Sequence, residues 1–67
     1  MDKFTARLKE LRQEKGLSQI QLAKETGISK SAIGFWETGE RVPSALAIIT
    51  LAKFFNVSAD YLLGLED

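Results

Sequence analysis

The chain has 67 residues, with nine basic and nine acidic side chains and neither Cys nor His. This length allows one domain with a single core. Without Cys or His, disulfide frameworks, thiolate or imidazole metal sites and His-based catalysis are excluded. We therefore expect a chain that is not an enzyme and that holds no metal or cofactor.

The sequence has no apolar segment of membrane-spanning length. Its longest mostly apolar stretch, residues 42–52, is about half of the roughly 20 residues that a spanning helix needs. Residues 1–7 lack the apolar core of a signal peptide. We expect a soluble, cytoplasmic protein in which residues 1–67 form one domain, either as a whole minimal protein or as part of a larger one.

A recurring motif predicts where helices begin. In four places an apolar residue and a Ser are followed by another apolar residue four positions after that Ser, which is the spacing of a hydrophobic staple around a Ser N-cap. The four Ser residues are Ser18, Ser29, Ser44 and Ser58. Gly or Asn follows each helical stretch, where a left-handed residue ends a helix. These signals predict helices over residues 2–15, 18–26, 29–38, 44–55 and 58–63.

The predicted helices indicate an all-α domain, because no segment shows strand alternation bounded by turns. The fourth helix is apolar almost all round, so we expect it to be the most buried. The second and third helices are joined by Gly27 and Ile28, which is the length of a helix-turn-helix connection over about residues 18–38. Such a motif lets its second helix enter a major groove, although the spacing fits an ordinary helix corner equally well.

The residues around this turn resemble a known family. Residues 17–39 read Leu-Ser-Gln-Ile-Gln-Leu-Ala-Lys-Glu-Thr-Gly-Ile-Ser-Lys-Ser-Ala-Ile-Gly-Phe-Trp-Glu-Thr-Gly, which is similar to the helix-turn-helix of Cro/C1-type (Xre-like) repressors. The similarity extends to Arg41, Pro43 and Ser44 and through residues 51–64. It implies a compact five-helix, lambda-repressor-like domain. Phage repressors, toxin–antitoxin components, restriction controllers and host regulators all fit this pattern.

The family resemblance also implies a function and its partners. Such a domain is a sequence-specific transcriptional regulator of the repressor type. It places its third helix in the major groove of a pseudo-palindromic operator in double-stranded DNA, usually as a homodimer. The resemblance assigns the base-reading positions to Lys30, Ser31 and Phe35. Lys30 can donate to guanine or to a phosphate, whereas Phe35 can pack on a thymine methyl or, equally well, pack in the core or against a partner.

Four residues are candidates for contacts with the DNA backbone: Gln19, Ser29, Arg41 and Ser44. In the family the start of the second helix, where Gln19 lies, holds the backbone, and an Arg side chain and a helix start such as that at Ser44 suit phosphate. The amide of Gln19 has two possible roles, to reach a phosphate or to brace the third helix. The sequence departs from the family at Glu40, where Lys is common, and at Thr38, where Asn is common. An acid repels phosphate, so we expect the backbone contact of this loop to be weak.

The resemblance implies support for the reading helix as well. Arg12 and Glu37 match an ion pair between the first and third helices, and Trp36 is expected in the core behind the third helix. Gly34 lies inside the third helix at a cost of about 0.5–1 kcal/mol relative to Ala. This cost indicates a close approach to DNA or to another helix, or simple local tolerance.

Position and apolarity suggest that a dimer would use the last helix and the tail, through Val57, Tyr61 or Leu65. An alternative function is a protein-interaction module that keeps the fold without binding DNA, as Glu40, Gly34 and Phe35 suggest.

The net charge of zero hides a gradient: residues 1–16 carry +2, residues 17–43 are balanced and residues 44–67 carry −2. We therefore expect modest non-specific affinity for DNA and reliance on base contacts and pairing.

Overall fold

Five α-helices make up the computed structural model, which describes residues 2–66. They are α1 (Asp2–Glu14), α2 (Gln19–Thr26), α3 (Lys30–Thr38), α4 (Ala45–Phe55) and α5 (Ala59–Leu63). The predicted all-α, five-helix class is confirmed, since these residues contain no strand. Within the same range no helix is long and apolar enough to cross a membrane.

The Ser residues cap the helices as the motif predicts. Each of Ser18, Ser29, Ser44 and Ser58 accepts a hydrogen bond from the backbone N–H three residues later. Ser18 also donates its own N–H to the side chain of Gln21 at 2.7 Å, which completes a capping box. Helices α2 to α5 therefore begin one residue after the predicted starts, because the predicted ranges included the N-cap Ser. Helix α1 ends at Glu14, one residue earlier than predicted.

The helix ends also follow the sequence signals. Gly27 and Gly39 end α2 and α3 in the left-handed conformation, with φ of 76° and 80°. Asn56 does the same after α4 with φ of 56°. Since a left-handed residue turns the chain sharply away from the helix axis, these ends keep the connections short.

One apolar core holds the helices together. Helix α1 packs against α3 and α5, α2 packs against α3 and α4, and α4 packs against α5. The core consists of Phe4, Leu8, Leu22, Ile33, Trp36, Ala47, Ile48, Leu51, Ala52, Phe55 and Leu62. Burying a large side chain of this kind contributes about 1.5–3 kcal/mol, so packing of α3 on α1 and of α2 on α4 is what fixes these two short helices in place.

Helix α4 supplies more of the core than any other helix described, but not through its whole circumference. Five of its residues are buried, whereas Leu46 is 73% exposed and Ile49 is 49% exposed. The prediction that this helix is the most buried is therefore confirmed, although the side that carries Leu46 and Ile49 is exposed. The other helices cover one face of α4, and its opposite face meets solvent because nothing in residues 2–66 packs there.

Candidate nucleic-acid interface

The connection between α2 and α3 is short and hydrogen-bonded. Gly27 donates its N–H to the carbonyl of Ala23 at 2.9 Å, and Ile28 donates to the hydroxyl of Thr26 at 3.2 Å. The Ile28 side chain packs against the core, and Ser29 then caps α3. These contacts fix the angle between the two helices, and they leave one side of α3 facing solvent.

An open groove of about 340 Å³ follows this outer side of α3. It is lined by Gln19, Lys30, Ser31, Gly34, Phe35, Thr38 and Glu40. The groove thus brings together the three residues predicted to read bases and one of the four predicted to hold the backbone. Lys30 and Ser31 are exposed in the first turn of α3, whereas Phe35 is half-buried one turn further on.

The carboxylate of Glu37 joins three helices behind this surface. Arg12 of α1 donates from Nε to Oε2 at 2.7 Å and from Nη2 to Oε1 at 2.9 Å. Gln19 of α2 donates from Nε2 to Oε1 at 3.2 Å. The expected pair between Arg12 and Glu37 is present, and the third contact is the bracing of α3 that was one of the two roles expected for Gln19.

This pair is largely shielded from water. The side chains of Arg12 and Glu37 are 12% and 4% exposed, and Arg12 also donates from Nη1 to the carbonyl of Leu17 at 2.7 Å. Donation of its hydrogen bonds to the Glu37 carboxylate raises the pKa of Arg12 against the opposing effect of burial. Arg12 therefore stays charged at any working pH, and the link between α1 and α3 does not depend on its titration.

In the free protein Gln19 makes the contact expected of a brace for α3. Its amide nitrogen braces α3, and its amide oxygen lies toward Gly34, at 3.7 Å from where a Cβ on Gly34 would stand. This distance is ordinary van der Waals contact. Gly34 is therefore not required by a close approach between helices.

Phe35 and Arg41 are in contact, which the sequence reasoning missed. The Arg41 guanidinium carbon lies 4.6 Å from the centre of the Phe35 ring, which is cation–π distance. The main chain of the loop also folds back on Phe35, because Glu40 and Arg41 both donate their N–H groups to its carbonyl, at 2.9 and 3.4 Å. Gly39, at the end of α3, provides the turn that allows this.

The remaining predicted backbone residues lie at helix starts. The hydroxyls of Ser29 and Ser44 accept from the N–H groups of Ala32 and Ala47, both at 3.1 Å. Both Ser residues are exposed. Since a hydroxyl that accepts still has its own proton, each keeps a donor for an anion.

Trp36 lies behind α3, away from the groove. It is 7% exposed and meets Phe4 of α1 edge to face, with ring centres 6.4 Å apart. Thr5 of α1 donates its hydroxyl to the Trp36 carbonyl at 2.9 Å. Together with Arg12 and Glu37, these contacts attach the inner side of α3 to α1.

The predicted dimer residues differ in exposure. Val57 is half-buried and packs against the core. The Arg7 guanidinium covers the ring of Tyr61 at 4.2 Å, whereas Leu65 is 73% exposed. Val57 and Tyr61 thus offer less free surface than the sequence suggested, and Leu46 and Ile49 of α4 offer more.

No group of Asp and Glu within residues 2–66 is arranged to hold a metal ion. The polar lining of the groove beside α3 consists of three amide or hydroxyl side chains, Gln19, Ser31 and Thr38, with the cation of Lys30 and the carboxylate of Glu40. Its chemistry is that of hydrogen bonding to a large surface.

Comparison with known proteins gives consistent results. A family profile described as helix-turn-helix matches residues 8–62. The chain is 39% identical over 64 residues to the uncharacterized HTH-type transcriptional regulator YobD of Bacillus subtilis (strain 168), covering 96% of this chain and 57% of that protein. It is also 39% identical to the HTH-type transcriptional activator BcrR of Enterococcus faecalis, covering 96% of this chain and 31% of that protein.

A solved structure is similar as well. The restriction-modification controller protein C.AhdI of Aeromonas hydrophila superimposes with a TM-score of 0.80 and 42% sequence identity, covering 90% of this chain and 91% of that chain. The curated relatives are longer, since this chain spans about half of YobD and a third of BcrR. The matched proteins are regulators and a controller, in agreement with the prediction that the chain is not an enzyme.

Proposed function

Because the chain belongs to the helix-turn-helix family of the Cro/C1 (Xre-like) type, we propose that it is a sequence-specific DNA-binding transcriptional regulator of the repressor type. One observation carries this proposal. The groove along α3 gathers Lys30, Ser31 and Phe35 on the outer side of a helix whose inner side is fixed to α1 and α2 through Glu37. A rigid, protruding helix with polar side chains in its first turn suits the major groove.

The roles within this surface follow from position. Lys30 and Ser31 contact base edges, since the first residues of a recognition helix reach them. Ser29, Ser44 and Arg41 contact phosphates, because phosphate contacts come from hydroxyls, helix starts and Arg side chains. Gln19 acts mainly as a brace for α3. Because its side chain also lines the groove, it lies close to the bound DNA.

The charge of the surface sets the strength of binding. Lys30 and Arg41 face the DNA together with Glu40, which lies in the same groove. Few cations on the surface mean few counterions released on binding, so affinity depends only weakly on salt. Useful occupancy then requires base contacts and the pairing of two copies.

We propose that the chain binds as a homodimer. A dimer would place two copies of α3 about 34 Å apart on a pseudo-palindrome. Leu46 and Ile49 lie three residues apart on one exposed side of α4, and uncharged apolar side chains can meet their own copies across a two-fold axis without like-charge repulsion. We therefore place the contact on α4 and keep Leu65 of the predicted set as a second candidate.

Two variants separate these dimer surfaces. Sedimentation of the free protein over a range of concentrations measures self-association. Leu46→Glu should shift the protein to monomer and Leu65→Glu should leave it associated, because only the first buries a charge in the contact. If only Leu65→Glu shifts the protein to monomer, the dimer contact lies in the tail and not on α4. A wild-type protein that stays monomeric at all concentrations, with and without DNA, would contradict the dimer.

Selection from random double-stranded DNA tests the proposed function. The expected result is an enriched motif with two related half-sites, bound with an affinity that falls as salt is raised. The alternative is a protein-interaction module, which the acid Glu40 in the groove favours. An absence of any enriched motif, together with a stable protein partner in a pull-down, would establish that alternative instead.

A further inference from the structure

The loop after α3 is attached to Phe35 through both its main chain and a side chain. The N–H groups of Glu40 and Arg41 point to the Phe35 carbonyl at 2.9 and 3.4 Å, and the Arg41 guanidinium carbon stands 4.6 Å from the ring centre. Phe35 is half-buried on the groove side of α3, and Arg41 is exposed. An exposed Arg is therefore held in one place by a ring that belongs to the proposed recognition helix.

Stacking on a ring leaves the hydrogen-bonding edge of a guanidinium free. The N–H donors of a guanidinium lie in its plane and form a fork that matches two oxygen atoms of a phosphate, so a ring against its flat face does not compete for them. A flexible Arg loses conformational freedom when it binds an anion. Contact with Phe35 orders Arg41 before DNA arrives, so less freedom is lost on binding.

We propose that Phe35 is a positioning residue, which holds the Arg41 guanidinium so that it donates to a DNA phosphate at the edge of the major groove. The proposal rests on the DNA-binding function given above. A phosphate is the acceptor because Arg41 follows the C-terminal end of α3, whereas base edges are reached from the N-terminal residues of a recognition helix. Phe35 then acts through Arg41, and its direct contact with a thymine methyl is not needed.

This role has a consequence that a base-reading role lacks. Phe35→Leu changes no charge and keeps an apolar side chain that still fits a thymine methyl, but it removes the aromatic face under Arg41. If Arg41 then leaves its phosphate, one fewer counterion is released on binding. A substitution between two uncharged residues would thus lower the salt dependence of DNA affinity.

The experiment is a salt titration of affinity for the DNA selected by the wild-type protein. We expect both Phe35→Leu and Arg41→Gln to make the negative slope of log K against log salt shallower by about 0.9, the value of one phosphate contact on B-DNA. The double variant should show the same slope as either single variant. Phe35→Tyr should keep the wild-type slope, because its ring retains a face for the cation.

Phe54→Leu is the matched control. Phe54 is half-buried and faces the Lys15 ammonium at 5.4 Å, so this variant removes an aromatic–cation contact elsewhere in the fold. It should leave the slope unchanged. Thermal unfolding shows whether each variant is folded. The NMR signals of the Arg41 side chain, which the Phe35 ring shifts, report the contact between the two residues without DNA.

The outcomes separate this proposal from the proposed function. A wild-type protein that binds no DNA in a salt-dependent way overturns both. A wild-type protein with a normal slope and a folded Phe35→Leu variant with that same slope overturns only the positioning role. If the folded Phe35→Leu variant instead changes the preferred base at one position with an unchanged slope, Phe35 reads the base directly and the proposal is wrong.

Discussion

Arg12 of α1 and Glu37 of α3 form a two-point ion pair, with Nε–Oε2 and Nη2–Oε1 distances of 2.7 and 2.9 Å. The pair lies at the junction where α1 meets the proposed recognition helix, and Gln19 of α2 donates to the same carboxylate. Two charged groups removed from water are costly when one partner is lost. The main role of the pair is therefore to fix the position of α3 relative to α1, and its net contribution to stability is small.

Glu37→Gln should destabilise the protein strongly. The variant keeps the shape of the side chain but leaves the Arg12 charge without its partner in a site where it is 12% exposed, which costs about 3 kcal/mol by analogy with broken buried pairs. Chemical denaturation measures the loss. Glu25→Gln, at an exposed position of α2, is the matched control and should change stability by less than about 0.5 kcal/mol. Equal effects of the two substitutions would contradict the structural role of Glu37.

Gly34→Ala should raise stability and lower DNA affinity. A Cβ at this position meets only the Gln19 amide oxygen, at 3.7 Å, so the helix should gain about 0.5–1 kcal/mol from the better helix former. Gly34 lies in the groove beside α3, and a methyl there would hold the DNA further away. Thermal unfolding and DNA titration check both effects. Affinity equal to that of the wild type would show that Gly34 is tolerated without a role.

Glu40→Gln should raise DNA affinity, mainly at low salt. Glu40 is exposed in the groove, and its charge repels phosphate over a distance that salt shortens. Titration at two salt concentrations measures the gain and its decline. Glu10→Gln makes the same change of charge at an exposed position of α1 and should have the smaller effect. A gain of equal size from both variants would mean that net charge, and not the place of Glu40, controls affinity.

Two glycines with the same backbone conformation should differ in their tolerance of Ala. Gly27 and Gly64 have φ of 76° and 83°, and a Cβ on Gly27 would meet nothing within 4 Å, whereas one on Gly64 would stand 2.5 Å from the Lys3 Cβ. Gly27→Ala should cost about 1–2 kcal/mol from the left-handed conformation alone, and Gly64→Ala should cost more. Urea denaturation of the two variants compares them. A larger loss of stability from Gly27→Ala than from Gly64→Ala would show that Gly64 does not lie this close to Lys3 of α1.

Much of this architecture could be predicted from short-range patterns. A Ser N-cap and a left-handed Gly act within one turn of a helix, so the motifs around Ser18, Ser29, Ser44 and Ser58 were enough to place four helices to within one residue. The pair of Arg12 and Glu37 could be expected because the family resemblance brings two distant positions together. No local pattern carries that information.

The rest depends on contacts between parts of the chain that have no sequence signature. The face of α4 that carries Leu46 and Ile49 is exposed because no other helix covers it, which an apolar sequence cannot reveal. Arg41 meets Phe35 because the loop turns back at Gly39. Gln19 had two reasonable partners, and only the packing of α2 on α3 shows which one it reaches in the free protein.

The outer side of α3 is the surface that we propose binds DNA. The most direct test is to follow the backbone amide signals of the protein by NMR while the selected DNA is added. We expect the largest shifts at Lys30, Ser31 and Gly34 and smaller shifts at Ser44 and Arg41. Shifts confined to α5 and the exposed side of α4, or no shifts at all, would contradict this proposal.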